Sequence, residues 1–102
     1  MAYVKAVPAS KVVPGTMASV LVGGEEVLVA NVDGEYLAMG TPCTHERWDL
    51  AEGKLEGRNV TCPGHGAVWD LMTGKAAFDE PLEDEPVYDV KVEHGFVYVR
   101  KR

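Results

Sequence analysis

Cys43-Thr44-His45 and Cys62-Pro63-Gly64-His65 stand sixteen residues apart in a chain of 102 residues. They hold both cysteines and two of the three histidines of the chain. Each pair lies among Gly, Pro, Thr and charged residues rather than in an apolar run, so both read as loops. Four soft or borderline donors in two short pairs point to a metal rather than to two buried cysteines and two unrelated surface histidines. A single zinc ion would close the four donors into a tetrahedron. A [2Fe–2S] cluster would take both thiolates on one iron and both imidazoles on the other. Zinc fingers group Cys with Cys and His with His, whereas here each loop supplies one of each. The mixed pairing suits a binuclear cluster gripped between two loops, and zinc remains the competing reading.

Outward from the two motifs the pattern is almost all β. Tyr3 to Val7, Met17 to Val22, Val27 to Val32 and Glu35 to Met39 read as strands on the N-terminal side, and Val87 to Val92 and Phe96 to Arg100 on the C-terminal side. Gly23-Gly24, Asp33-Gly34 and Glu93-His94-Gly95 punctuate them as hairpin turns; Asp-Gly suits a two-residue turn because both positions tolerate positive φ. Tyr88, Val90 and Val92 alternate with Asp89 and Lys91, the pattern of a half-buried strand. Asn59 to Cys62 and Ala67 to Asp70 read as short strands around the second motif. Trp48 to Glu52 offers at most one helical turn, Thr73-Gly74 a turn, and Phe78 to Pro86 an acidic irregular loop. The expected organisation is one all-β domain over 1–102. A loop-rich subdomain over about 41–82 would carry the metal, with 1–40 and 83–102 as its β base.

Charge narrows the function. The net charge is −6, which argues against nucleic acid and against an anionic membrane surface. The N-terminal residues lack a basic stretch followed by an apolar run, and no segment is long and apolar enough to span a bilayer. A cytoplasmic location is therefore expected, where cysteines serve more often as ligands than as crosslinks. Asp79, Glu80, Glu83, Asp84, Glu85 and Asp89 crowd eleven positions. They could dock a basic partner, although charge runs are usually solvated. His94 reads as a turn residue, and Asp49 and Asp70 as isolated carboxylates without a catalytic role.

At the two motifs the chain resembles the Rieske-type [2Fe–2S] ferredoxins of ring-hydroxylating dioxygenases. Leu50, Gly53, Gly57, Gly66, Trp69-Asp70, Thr73-Gly74-Lys75 and the stretch Pro81 to Val99 extend the resemblance over nearly the whole chain. It implies stacked antiparallel sheets with a cluster-binding subdomain, and one [2Fe–2S] cluster on Cys43, His45, Cys62 and His65 with both histidines bound through Nδ1. It implies a one-electron carrier and not an enzyme, fed by a flavin-dependent reductase and serving a terminal oxygenase or another redox protein. A small subunit of a larger oxidoreductase is the remaining alternative. Cytochrome bc-type relatives carry two further cysteines that bridge the loops; the matching positions here are Trp48 and Gly64, so that disulfide is excluded. Trp48 resembles the Cys-Thr-His-x-x-Trp form of biphenyl-type ferredoxins and would pack over Gly64. High-potential relatives place a Ser and a Tyr hydroxyl near the cluster sulfurs, where this chain has Ala67 and Trp69. Trp69 reads first as a core residue. Loss of the hydroxyls, with the acidic charge, places the expected potential at the low end of the Rieske range, roughly −150 mV.

Overall fold

The computed structural model describes residues 2–41, 49–64, 66–78 and 82–102. Among these, ten strands and two short 3₁₀ turns form two antiparallel sheets. Strands β1 (Val4–Pro8), β2 (Met17–Val22), β3 (Glu25–Val32), β4 (Glu35–Gly40), β9 (Val87–Glu93) and β10 (Phe96–Lys101) make the larger sheet, in the order β1-β10-β9-β4-β3-β2. The smaller sheet, β5 (Lys54–Glu56), β6 (Asn59–Thr61), β7 (Val68–Asp70) and β8 (Ala76–Ala77), runs in sequence order. The all-β expectation of stacked antiparallel sheets is borne out.

Turn chemistry sets the register of the larger sheet. Asp33 and Gly34 take φ of 53° and 95°, and Val32 faces Glu35 across them. His94 and Gly95 do the same between Glu93 and Phe96, so His94 is the turn residue expected. Gly23-Gly24 closes a two-residue turn that pairs Val22 with Glu25. The strand expected to begin at Val27 therefore starts two residues earlier, because a turn this tight pulls both glutamates into the ladder. The first strand, expected over Tyr3 to Val7, runs from Val4 to Pro8, with Pro8 paired to Phe96; β1 lies at the sheet edge, where a residue without an N–H is tolerated.

Strands β5 and β8 were not foreseen. Lys54-Leu55-Glu56 has one apolar residue and Ala76-Ala77 has no β-branched one, so neither carries a strand signal of its own. Their neighbours supply it. Gly57-Arg58 turns β5 back onto β6, pairing Glu56 with Asn59, and β8 pairs with β7 through Trp69 and Ala76.

Burial explains how the sheets meet. Along β3, Val27 and Val29 enter one buried cluster with Val7, Val12, Ala38, Tyr88, Val97 and Val99. Leu28 and Ala30 point the other way, into a second cluster with Met39, Leu50, Val60, Cys62, Ala67, Trp69 and Leu71. The period of two thus sorts consecutive residues of one strand between two cores. The second core is the bed on which the smaller sheet rests. Chain entry and exit to that sheet coincide: β4 pairs with β9 through Ala38–Tyr88 and Met39–Val87, and the Gly40 N–H donates to the Pro86 carbonyl at 2.9 Å.

Candidate metal centre

Of the four expected ligands, Cys62 lies within the described residues; Cys43, His45 and His65 lie outside them, as does Trp48. Cys62 follows the last residue of β6. Its N–H donates to the Ala67 carbonyl at 2.7 Å, which continues the ladder by one pair beyond Thr61–Val68. The Gly66 N–H returns to the Cys62 carbonyl at 3.2 Å, with Gly66 at φ 79°. The second motif is therefore the loop of a β-hairpin, with its cysteine fixed at the base of the loop. Cys62 is 4% exposed and belongs to the core beneath the smaller sheet. Such a position suits a thiolate that binds a metal centre, since an apolar surround excludes water while rigid strands fix the sulfur.

The first motif is held by its two ends. The Leu50 N–H donates to the Thr41 carbonyl at 3.0 Å, and the Thr41 N–H donates to the Glu26 carbonyl at 3.1 Å. Thr41 is buried, and its hydroxyl pairs with that of Ser19 at 3.0 Å. The Thr41–Leu50 bond closes the neck of this loop, and Asp49 caps a 3₁₀ turn (Leu50–Glu52) by accepting from the Ala51 N–H at 2.8 Å. The turn expected near Trp48 to Glu52 is this one. Gly53 follows, pressed so closely against the carbonyls of Thr61 and Leu50 that a Cβ there would collide. Its φ of −81° is ordinary, so space and not conformation demands glycine. Leu50, on the first segment, shares one buried cluster with Cys62, on the second. The flanks of both motifs are thus brought together against one core.

Trp69 is fully buried in that cluster, so its reading as a core residue holds. Its indole Nε1 has no hydrogen-bond partner among the described residues. Ala67 is buried in the same cluster. Asp70 accepts from the Met72 N–H at 2.7 Å; like Asp49 it serves a turn.

The acidic stretch is less uniform than its sequence. Asp79 and Glu80 lie outside the described residues. Glu85 is buried, with its N–H donating to the Gly74 carbonyl at 2.8 Å. Asp89 accepts from Arg102 Nε at 2.8 Å and Arg100 at 3.0 Å, and these two partners hold its carboxyl below the usual range. Asp84 is exposed and faces Lys75 at 3.5 Å. Glu83 and Asp84 therefore remain as the described exposed carboxylates of the six.

Sequence reasoning had no signal for the Ser19–Thr41 pair, which joins residues 22 apart, or for the missing partner of Trp69 Nε1. Both depend on packing between distant segments.

Comparison with known proteins bears on this site. The family model of the Rieske [2Fe–2S] domain matches residues 2–91. The chain is 35% identical over 92 residues to the ferredoxin component of the naphthalene 1,2-dioxygenase system of Pseudomonas putida, covering 90% of this chain and 88% of that protein. It is 36% identical over 100 residues to the biphenyl dioxygenase ferredoxin subunit of Pseudomonas sp. strain KKS102, covering 97% and 92%. Among solved structures, a chain in the complex of reduced oxygenase and oxidized ferredoxin of carbazole 1,9a-dioxygenase superposes with a TM-score of 0.86 at 33% identity, covering 98% of this chain and 95% of that one.

Proposed function

The chain belongs to the Rieske [2Fe–2S] domain family, and from that premise we propose that Cys43, His45, Cys62 and His65 hold its cluster and that it carries single electrons between a flavin-dependent reductase and a terminal oxygenase. The observation that carries this reading is the setting of Cys62: a buried sulfur at the base of a hairpin loop, in one core with Leu50 at the neck of the other loop. The donor set fits the group, two thiolates and two imidazoles being the Rieske complement. When bound, the cluster supplies reversible uptake of one electron. The chain's own residues do the rest. Leu50, Val60, Ala67 and Trp69 keep water from Cys62, and the ladder bond from Cys62 to Ala67 fixes the backbone that carries the sulfur. No substrate has to be bound for this work.

The same residues support a low potential. Ala67 offers no hydroxyl to an acceptor sulfur, and the net charge of −6 opposes a further negative charge. Glu83 and Asp84 are the described part of an acidic rim that would meet a basic patch on a redox partner. Among the described residues no helix is long and apolar enough to cross a membrane. We place the electron exchange in the cytoplasm, where both cysteines stay available as ligands.

Purified protein supplied with iron and sulfide should be coloured, hold two irons and two sulfides per chain, and give an EPR signal on reduction. A colourless protein, or one with a single zinc, would refute the cluster reading, since zinc is redox-silent. Candidate reductases are then tested for reduction of the coloured protein at several ionic strengths. Rates that ignore salt would remove the acidic rim from the account.

A further inference from the structure

The β6–β7 ladder pairs Val60 with Trp69 and Thr61 with Val68, and its last bond runs from Cys62 to Ala67. Alternation along the strands therefore puts Val60, Cys62, Ala67 and Trp69 on one face. All four are buried in one cluster. Cys62 and Trp69 are diagonal neighbours on that face, a spacing that aromatic side chains span. Ala67 lies directly across from Cys62 on that face, and its methyl brings no competing donor. Trp69 is 0% exposed, and its Nε1–H lacks a partner among the described residues. A buried donor is normally paired, because leaving it unmade forfeits its hydration with nothing in return. An indole N–H can only donate. No described residue supplies that acceptor, and Cys62 carries its sulfur on the same buried face.

We propose that the Trp69 indole N–H donates a hydrogen bond to anionic sulfur at the Cys62 end of the cluster, making Trp69 a positioning residue that sets the potential. The inference rests on the cluster reading above. Reduction makes the cluster as a whole more negative, so a donor to its sulfur bonds the reduced state more strongly and raises the potential. It offsets part of what is lost at Ala67.

The test is Trp69→Phe, which keeps an aromatic ring in the core and removes only the donor. The variant should load iron and sulfide normally. At a fixed applied potential its ratio of reduced to oxidised protein should fall threefold to tenfold, about 28 to 59 mV for a one-electron couple. A fully loaded variant with an unchanged midpoint overturns the proposal. A second measurement uses the unsubstituted protein with its two tryptophans ¹⁵N-labelled at the indole. Pulsed EPR of the reduced state should detect ¹⁵N coupled to the cluster, and Trp48→Phe should retain that coupling. Absence of the coupling overturns the proposal even if Trp69→Phe fails to fold. If the unsubstituted protein holds no cluster at all, it is the parent reading that fails.

Discussion

The Leu50 N–H donates to the Thr41 carbonyl at 3.0 Å, closing a neck around the segment that carries Cys43 and His45. Thr41 is tied in turn to Glu26 on β3 and, through its hydroxyl, to Ser19 on β2. The loop that should bring half of the ligands is therefore fastened to the larger sheet, while Cys62 is fastened to the smaller one. Assembly of the centre depends on how the two sheets meet, and the core containing Leu28, Met39, Leu50 and Trp69 governs that meeting.

Gly53 is the tightest point of that junction. A Cβ at this position would strike the Thr61 and Leu50 carbonyls, which belong to backbone and cannot swing aside. Gly53→Ala should destabilise the protein by about 1–3 kcal/mol and lower its iron content, read by urea unfolding and by iron and sulfide analysis. Gly57→Ala is the control. Gly57 lies at φ 59° with open space around it, so the cost is conformational, about 1 kcal/mol, and iron content should stay normal. Equal iron loss in both would remove the packing argument.

Ala67 sits across the ladder from Cys62 and is 1% exposed. Ala67→Ser adds a hydroxyl on the face that holds the sulfur, with little added volume. The midpoint potential should rise, by about 59 mV for each tenfold preference for the reduced state. Protein-film voltammetry reads the shift directly. A correctly loaded variant with the parent potential would show that a donor at this position does not reach sulfur.

Metal removal should cost stability as well as colour. The apolar bed of Cys62 is shared between two sheets, and the smaller one has strands of only two or three residues. Ligands gathered by folding return their binding energy to the fold. Iron-free protein should therefore melt at a lower temperature than loaded protein. Amide exchange should quicken across Lys54–Glu56, Asn59–Thr61 and Val68–Asp70 more than across Met17–Val22 and Glu25–Val32. Uniform exchange in both sheets would mean that the smaller sheet stands without the metal.

How much of this was legible beforehand depends on where the information resides. Hairpins set by Asp33-Gly34 and Gly23-Gly24 are local, since two residues decide φ and the register follows. Residue type and spacing alone propose a ligand set, because a metal needs such donors whatever the fold; of the four, the structure describes Cys62. Strands β5 and β8 were not legible, since Leu55 and the pair Ala76-Ala77 become strand only through their partners. Nor was the fate of the acidic stretch. Six carboxylates announce their charge, but Glu85 turns inward and Asp89 is claimed by Arg100 and Arg102. Both outcomes follow from tertiary packing, not from neighbours in sequence.

Tyr88 gives the fold an alkaline limit that can be measured. Its ring is buried in the core of the larger sheet, and its hydroxyl donates to Glu25 at 3.1 Å, where Lys101 also binds at 3.0 Å. Burial first, then the bond to the Glu25 carboxylate, pushes the phenol up to about 12 from an ordinary value of about 10. Between those values the unfolded chain has lost the Tyr88 proton while the folded chain keeps it. The unfolded state then binds fewer protons, so stability falls as pH rises. The contribution is whole below about pH 10 and is lost as pH climbs through about 12. Tyr88→Phe cannot ionise. Its unfolding free energy, measured in urea from pH 9 to pH 12 against the parent, should fall less steeply, with the two curves converging toward the alkaline end. Parallel curves across that window would mean that Tyr88 ionises as easily in the folded chain as in the unfolded one.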